Sequence, residues 1–173
     1  IFFTQILFPS FIFFLFFYGM DAGGLALPLH TTRAFTSIFS THPNPALDAW
    51  FMRGRQRFGD VRMLNRADGV KPIISSLRKG GLLYLLPDMD FGPKDAEFVP
   101  FFGIKAATLT AAPRIAAATK AKVIPVIATI LPDYQGWKVT FHPPWENYPG
   151  DDMVEATRFM NSFIEKEIMK APA

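Results

Sequence analysis

The sequence predicts an α/β fold, a central mixed, mostly parallel sheet flanked by helices. Three observations carry that expectation. Short apolar runs of strand length alternate with segments that carry helix-capping signals, the pattern of a sheet covered on both faces. The 173 residues suffice for one domain with a real core. Half of them are hydrophobic and only 19% charged, which excludes a disordered chain, a collagen or a coiled coil. With no cysteine, disulfides, thiolate zinc sites, iron–sulfur clusters and a Cys nucleophile are excluded as well.

The elements follow in order. No charge occurs between Ile1 and Asp21, and eight of the nineteen Phe fall in the first seventeen positions. By length this stretch could span a membrane, which takes about 20 apolar residues. It lacks the basic leader and small-residue cleavage site of a signal peptide. Thr4, Gln5, Pro9 and Ser10 oppose a span, and the run Phe11–Phe17 favours β structure, so residues 11–18 are read as a buried strand. A helix is expected from Gly23 to about Arg33, then a strand over residues 35–40. Asn44-Pro45 starts a helix, Asn as cap and Pro where its missing N–H is no loss, running to about Phe58. That helix puts Arg53 and Arg57 on one face and Arg55 roughly opposite.

Asp68 is expected to cap the next helix, which stops at Gly80. Residues 81–86 then read as a fully buried strand, 105–119 as a helix and 122–130 as a strand. Pro132–Gly136 turns the chain into a further strand, 137–142. The last helix, 151–170, carries Asp151 and Asp152 at its N-terminus, where the helix dipole favours negative charge. Its apolar positions are Val154, Phe159, Phe163, Ile164 and Ile168, close to a 3.6 period.

Charge is partitioned. Residues 33–80 carry nine Lys/Arg against three acids, a local excess of +6, although the whole chain is only +3. Such a cluster suits phosphate, an anionic membrane face or nucleic acid; the alternative is a solvated helix face. Trp50, Phe51 and Phe58 interleave too weakly with it for a single-strand binder, so no nucleic acid is expected.

The chain lacks the phosphate-loop, dinucleotide, serine-elbow and zincin motifs. His30, His42 and His142 are scattered, without a carboxylate at ligand spacing on a shared helix face, and read as structural or surface residues. The distinctive stretch is Leu86-Pro87-Asp88-Met89-Asp90-Phe91-Gly92-Pro93. Two carboxylates two residues apart, after a buried strand, lie where α/β folds place their sites; a polar turn explains the same residues. Phe98–Gly103 reads as an apolar loop, either bordering a hydrocarbon groove or packed in the core.

Taken together, these pieces resemble the lauroyl/myristoyl acyltransferases of lipid A biosynthesis, the late acyltransferases of lipopolysaccharide synthesis. The residues concerned are 19–24 (Gly-Met-Asp-Ala-Gly-Gly), 44–48 (Asn-Pro-Ala-Leu-Asp), 54–59 (Gly-Arg-Gln-Arg-Phe-Gly), 86–93, 98–102 and 123–126. The similarity runs colinearly over about residues 16–173. It implies a glycerolipid acyltransferase-like sheet and a single partial acyltransferase domain, 1–173, with residues 1–15 atypical. The family's N-terminal membrane helix and C-terminal segment are expected to be missing. The opening Ile1 likewise reads as a fragment, and the first sixteen or so residues as other than native sequence.

The resemblance also implies roles. The family's H-x-x-x-x-D motif, with its acid aligned on Asp21, puts Phe16 where the catalytic His belongs. In the implied chemistry that imidazole takes the proton of an acceptor hydroxyl attacking an acyl thioester, and Asp21 orients it. Arg55 and Arg57 match the basic motif and would meet phosphate groups, while Asp88 and Asp90 would organise the pocket. No metal or organic cofactor is implied. The partners are an acyl carrier protein thioester, a lipid A precursor and the cytoplasmic face of the cell inner membrane. A catalytically inactive binding module for anionic lipid or acyl carrier protein is the alternative, and a small membrane-anchored α/β protein a third.

Overall fold

The computed structural model describes residues 10–15, 20–87 and 96–170, and of residues 13–15, 20 and 21 the backbone alone. Six strands form the main sheet: β1 (Phe11–Leu15), β2 (Phe35–Phe39), β3 (Val61–Asn65), β4 (Leu82–Leu85), β7 (Lys122–Ile130) and β8 (Trp137–Phe141), in the order β3-β2-β4-β1-β7-β8. All neighbours are parallel except β7 and β8, which form the antiparallel edge. A separate antiparallel hairpin joins β5 (Ala96–Phe101) to β6 (Ile104–Leu109). The helices are α1 (Met20–Leu29), α2 (Pro45–Arg55), α3 (Lys71–Arg78), α4 (Ala111–Thr119) and α5 (Met153–Lys170).

Handedness explains which helix covers which face. From β1 to β2 to β3 the chain steps toward one edge; from β3 to β4 to β7 it steps back. Right-handed crossovers therefore send α1 and α2 to one side and α3 and α4 to the other. The strands are apolar at consecutive positions because both faces are covered. Ile12, Leu83 and Val123 lie in register and pack with Ile73 and Leu77 of α3, Ile115 of α4 and Met160 of α5. The alternate residues Phe11, Phe35, Leu82, Tyr84 and Ile124 form the second core, closed by Leu27 of α1.

The turn before β4 is sterically fixed. A Cβ on Gly81 would lie 2.6 Å from the Ser76 hydroxyl and 2.8 Å from its carbonyl oxygen, so only glycine fits that approach. Ser76 in turn shares a 2.9 Å hydrogen bond with the buried Thr36 hydroxyl of β2. Arg33 donates from both Nε and Nη2 to the Gly80 carbonyl, and burial lowers the pKa of its guanidinium. Helix α5 also holds the hairpin by polar contacts: Asn161, buried, donates to the Pro100 carbonyl (3.2 Å) and the Thr108 hydroxyl (3.0 Å).

Several expectations need correction. Residues 104–109 are strand β6 rather than the start of a helix, and Phe98–Phe101 belong to strand β5 rather than a loop. Strand β3 was not foreseen; on the sheet edge it buries only Leu64 and shows no clean alternation. The first helix runs over Met20–Leu29, not 23–33. Asp68 ends a short 3-10 turn, Arg66–Asp68, and α3 begins at Lys71 after Val70 with no side-chain cap. In α5 the buried positions include Ala156, Met160, Asn161 and Ile164, whereas Val154 and Phe159 are exposed. The run 11–15 is a strand with Phe11 and Ile12 buried, which removes the membrane-span reading there. Among the described residues no helix is long and apolar enough to cross a membrane.

Candidate functional site

Parallel α/β sheets bind ligands outside the carboxyl ends of their strands, because loops there converge while the strands themselves stay rigid. A cavity of about 320 Å³ lies at that position in this chain, beyond β2, β3 and β4. Ile38 and Phe39 end β2 on one wall, and Leu85, Leu86 and Pro87 follow β4 on another. Ile73 of α3 and Ile115 of α4 close the floor. The volume is at the lower end of ordinary ligand sites.

Polar groups stand at Ser40, Asn65 and Arg66. Their placement follows from a reciprocal cap. The Asn65 side chain accepts from the Ala67 N–H at 2.9 Å, and the Asp68 carboxylate accepts from the Asn65 N–H at 3.0 Å. Asn65 Nδ2 also donates to the Thr41 hydroxyl at 2.7 Å, tying the ends of β3 and β2 together. The tight turn so fixed holds Arg66 in the cavity lining. Apolar walls with a guanidinium-bearing residue among the lining suit a ligand with a hydrocarbon part and an anionic or strongly polar end.

The residues singled out by sequence divide into three groups. Phe16, Asp88 and Asp90 lie outside the described residues. Asp21 falls in the first turn of α1, described by backbone alone. Phe14 of β1 pairs with Leu85 of β4, so the two strands that precede Phe16 and Asp88 in sequence end side by side. Arg55 and Arg57 are described, and neither is in the cavity lining. Arg55 ends α2 with its guanidinium 5.8 Å from the Phe51 ring centre. Arg57 lies beyond Gln56, the helix C-cap, 4.3 Å over the Phe58 ring, so the expected helical Arg53/Arg57 face does not form.

Arg66 was missed as a site residue. It belongs to the basic segment read from sequence, and the usable signal was Asn65-x-x-Asp68, a reciprocal-capping spacing whose Asp was assigned to the following helix. The histidines stand elsewhere. The His42 ring accepts from the Asn44 N–H at 3.0 Å, and the His142 Nε2 is 3.8 Å from the Glu167 carboxylate with its ring against Phe163. Among the described residues no group of three or more His, Cys, Asp or Glu could hold a metal ion.

Comparison with known proteins adds to this geometry. The family described as bacterial lipid A biosynthesis acyltransferase matches residues 10–173. A lipid A biosynthesis acyltransferase of Haemophilus influenzae is 37% identical over 156 residues, 90% of this chain and 48% of that protein. The lipid A biosynthesis palmitoleoyltransferase of Escherichia coli is 31% identical over 157 residues, 90% of this chain and 50% of that protein. The Escherichia coli myristoyltransferase is 36% identical over 137 residues, 77% of this chain and 41% of that protein. The chain thus spans about half the length of these curated relatives. The family match starts at residue 10, and β1 lies inside it, so the expectation that residues up to 15 depart from the family is corrected for residues 10–15.

Proposed function

This chain belongs to the bacterial lipid A biosynthesis acyltransferase family, and on that premise we propose that it moves a fatty acyl chain onto a hydroxyl of a lipid A precursor. The donor in this reading is an acyl carrier protein thioester, and the reaction takes place at the cytoplasmic face of the inner membrane. The observation that carries it is the apolar cavity at the carboxyl ends of β2–β4, with Arg66 in its lining. Its walls would take the hydrocarbon chain. The arginines of the basic segment, Arg55 and Arg57 with Arg66, would meet the anionic groups of donor and acceptor.

In the proposed reaction the acceptor oxygen attacks the thioester carbonyl, the C–S bond breaks and the thiol leaves with the proton the acceptor lost. A general base at residue 16, oriented by Asp21, would carry that proton, and Asp88 and Asp90 would shape the pocket. Residue 16 is Phe, which cannot take a proton. Losing a general base lowers a rate by about 10²–10⁴-fold, leaving positioning and electrostatic stabilisation. This residue favours a second reading, a catalytically silent module that binds anionic lipid or acyl carrier protein.

Phe16→His separates the two. Acyl transfer from labelled acyl carrier protein to a lipid A precursor is expected to be slow with Phe16 and to rise about 10²–10⁴-fold with His. No transfer by either variant, with binding of acyl carrier protein or anionic lipid retained, overturns the enzymatic reading in favour of the module.

A further inference from the structure

Helix α2 presents its apolar side to solvent. Leu47, Trp50 and Phe51 stand at i, i+3 and i+4 and so form one stripe. Trp50 is 67% exposed, Leu47 45% and Phe51 38%, and no residue of the helix is buried. At roughly 100° per residue, Asp48, Met52 and Arg55 share one flank of the helix beside that stripe, and these are half-buried, so the helix leans on the protein with that flank. Gly54, half-buried itself, extends the stripe, and a Cβ there would meet nothing within 4 Å.

Charge frames the stripe. Arg53 projects on one flank, Arg55 on the other, and Arg57 follows the helix, with Arg53 and Arg57 exposed. Between residues 44 and 59 these three arginines face a single acid, Asp48, whose carboxylate already accepts the His42 N–H at 2.8 Å. A stripe of Leu, Trp and Phe bordered by arginines on a convex helix is the composition of a segment lying in a membrane interface.

We propose that α2 is a membrane-docking helix that lies in the plane of an anionic bilayer. Leu47, Trp50 and Phe51 enter the boundary between headgroups and acyl chains, and Arg53 meets lipid phosphates. An acidic protein would satisfy the arginines but would have to supply a pocket for three protruding apolar side chains. A bilayer supplies apolar depth along the whole stripe. The proposal deepens the reading above by naming the face that meets the membrane and rests on it for a membrane-embedded acceptor, but its test involves no acyl transfer.

The full chain is mixed with phosphatidylcholine vesicles, with and without about 30% phosphatidylglycerol, a negative surface of the kind basic segments recognise. Co-sedimentation measures binding, and acyl-chain-brominated lipid reads depth by quenching tryptophan. Binding is expected on the anionic vesicles, with quenching that Trp50→Phe largely removes while binding stays. The double variant Trp50→Ser/Phe51→Ser is expected to bind at least tenfold more weakly with an unchanged circular dichroism spectrum. Arg53→Gln is expected to weaken binding about fivefold at low salt, with less effect at high salt.

Absence of binding to anionic vesicles overturns the proposal, as does a double variant that binds undiminished or quenching that survives Trp50→Phe. Loss of acyl carrier protein binding in the double variant, with vesicle binding kept, also overturns it and assigns the face to an acidic protein. Docking that holds while acyl transfer fails counts against the enzymatic reading alone.

Discussion

Helices α2 and α3 begin alike and end up facing opposite ways. Each follows a strand of the same parallel sheet and carries Pro in its first turn. Helix α3 turns Ile73 and Leu77, at i and i+4, into the core, whereas α2 turns Leu47, Trp50 and Phe51 outward. Their surroundings account for the difference. The chain returns from β3 to the middle of the sheet, so α3 lands on an open face and covers Leu83. From β2 it moves only to the edge strand, on the side where α1 already sits, and α2 rests on α1. An apolar stripe at helical spacing therefore predicts that something covers it, but not that the covering is this chain's own core.

The largest test of that contrast is Leu77→Ala. Leu77 is 1% exposed and touches the core beneath β4. Truncation removes buried methyl groups and leaves a cavity, and a loss of about 2–5 kcal/mol in unfolding free energy is expected. Chemical denaturation with an unchanged m-value checks it. A loss below about 1 kcal/mol would mean that α3 is no better anchored than α2, and the contrast would fail.

A smaller effect is expected from Asn44→Ala. The Asn44 side chain accepts from the N–H groups of Ala46 (2.9 Å) and Leu47 (3.3 Å), capping α2. Removing a cap of this kind lowers helix stability by about 1 kcal/mol. Since α2 buries none of its residues, the loss should stay local: amide exchange in residues 46–55 accelerates severalfold while the global melting temperature hardly moves. Equal acceleration in α3 would show that the two helices unfold as one unit.

What the sequence revealed divides along the same line. Strand β7 and the Asn44 cap could be read because their signals are local: an unbroken apolar run and an Asx-Pro start. Strand β4 could be read because both sheet faces are covered and all four residues are buried. The β5–β6 hairpin was hidden since Ile104–Leu109, IKAATL, lacks alternation and runs into Ala-rich α4 without a strong break. Its anchor is Asn161 on α5, more than fifty residues away. At the candidate site, the basic segment was visible but not which arginine reaches the cavity. That choice depends on where α2 stops, at Gln56 rather than near Phe58, and on a turn that sets Arg66 in place. Helical spacing gives neighbours only while the helix lasts.

The smallest expected effect says most about the contrast. Trp50→Ser removes the largest side chain of α2, yet at 67% exposure its packing is mostly an edge contact with Phe51, ring centres 5.2 Å apart. Surface changes of this kind stay within about 0.5 kcal/mol, whereas Trp→Ala in a core costs about 3–5 kcal/mol. In solution, Trp50→Ser should therefore melt within a degree or two of the parent, about the shift that 0.5 kcal/mol produces in a domain of this size. The parent's melting temperature should rise when anionic vesicles are added, because a surface that binds the folded state stabilises it, and the rise should be absent in the variant. A large loss of stability in vesicle-free buffer would show that Trp50 already has a partner within the chain, and α2 would then be an ordinary packed helix like α3.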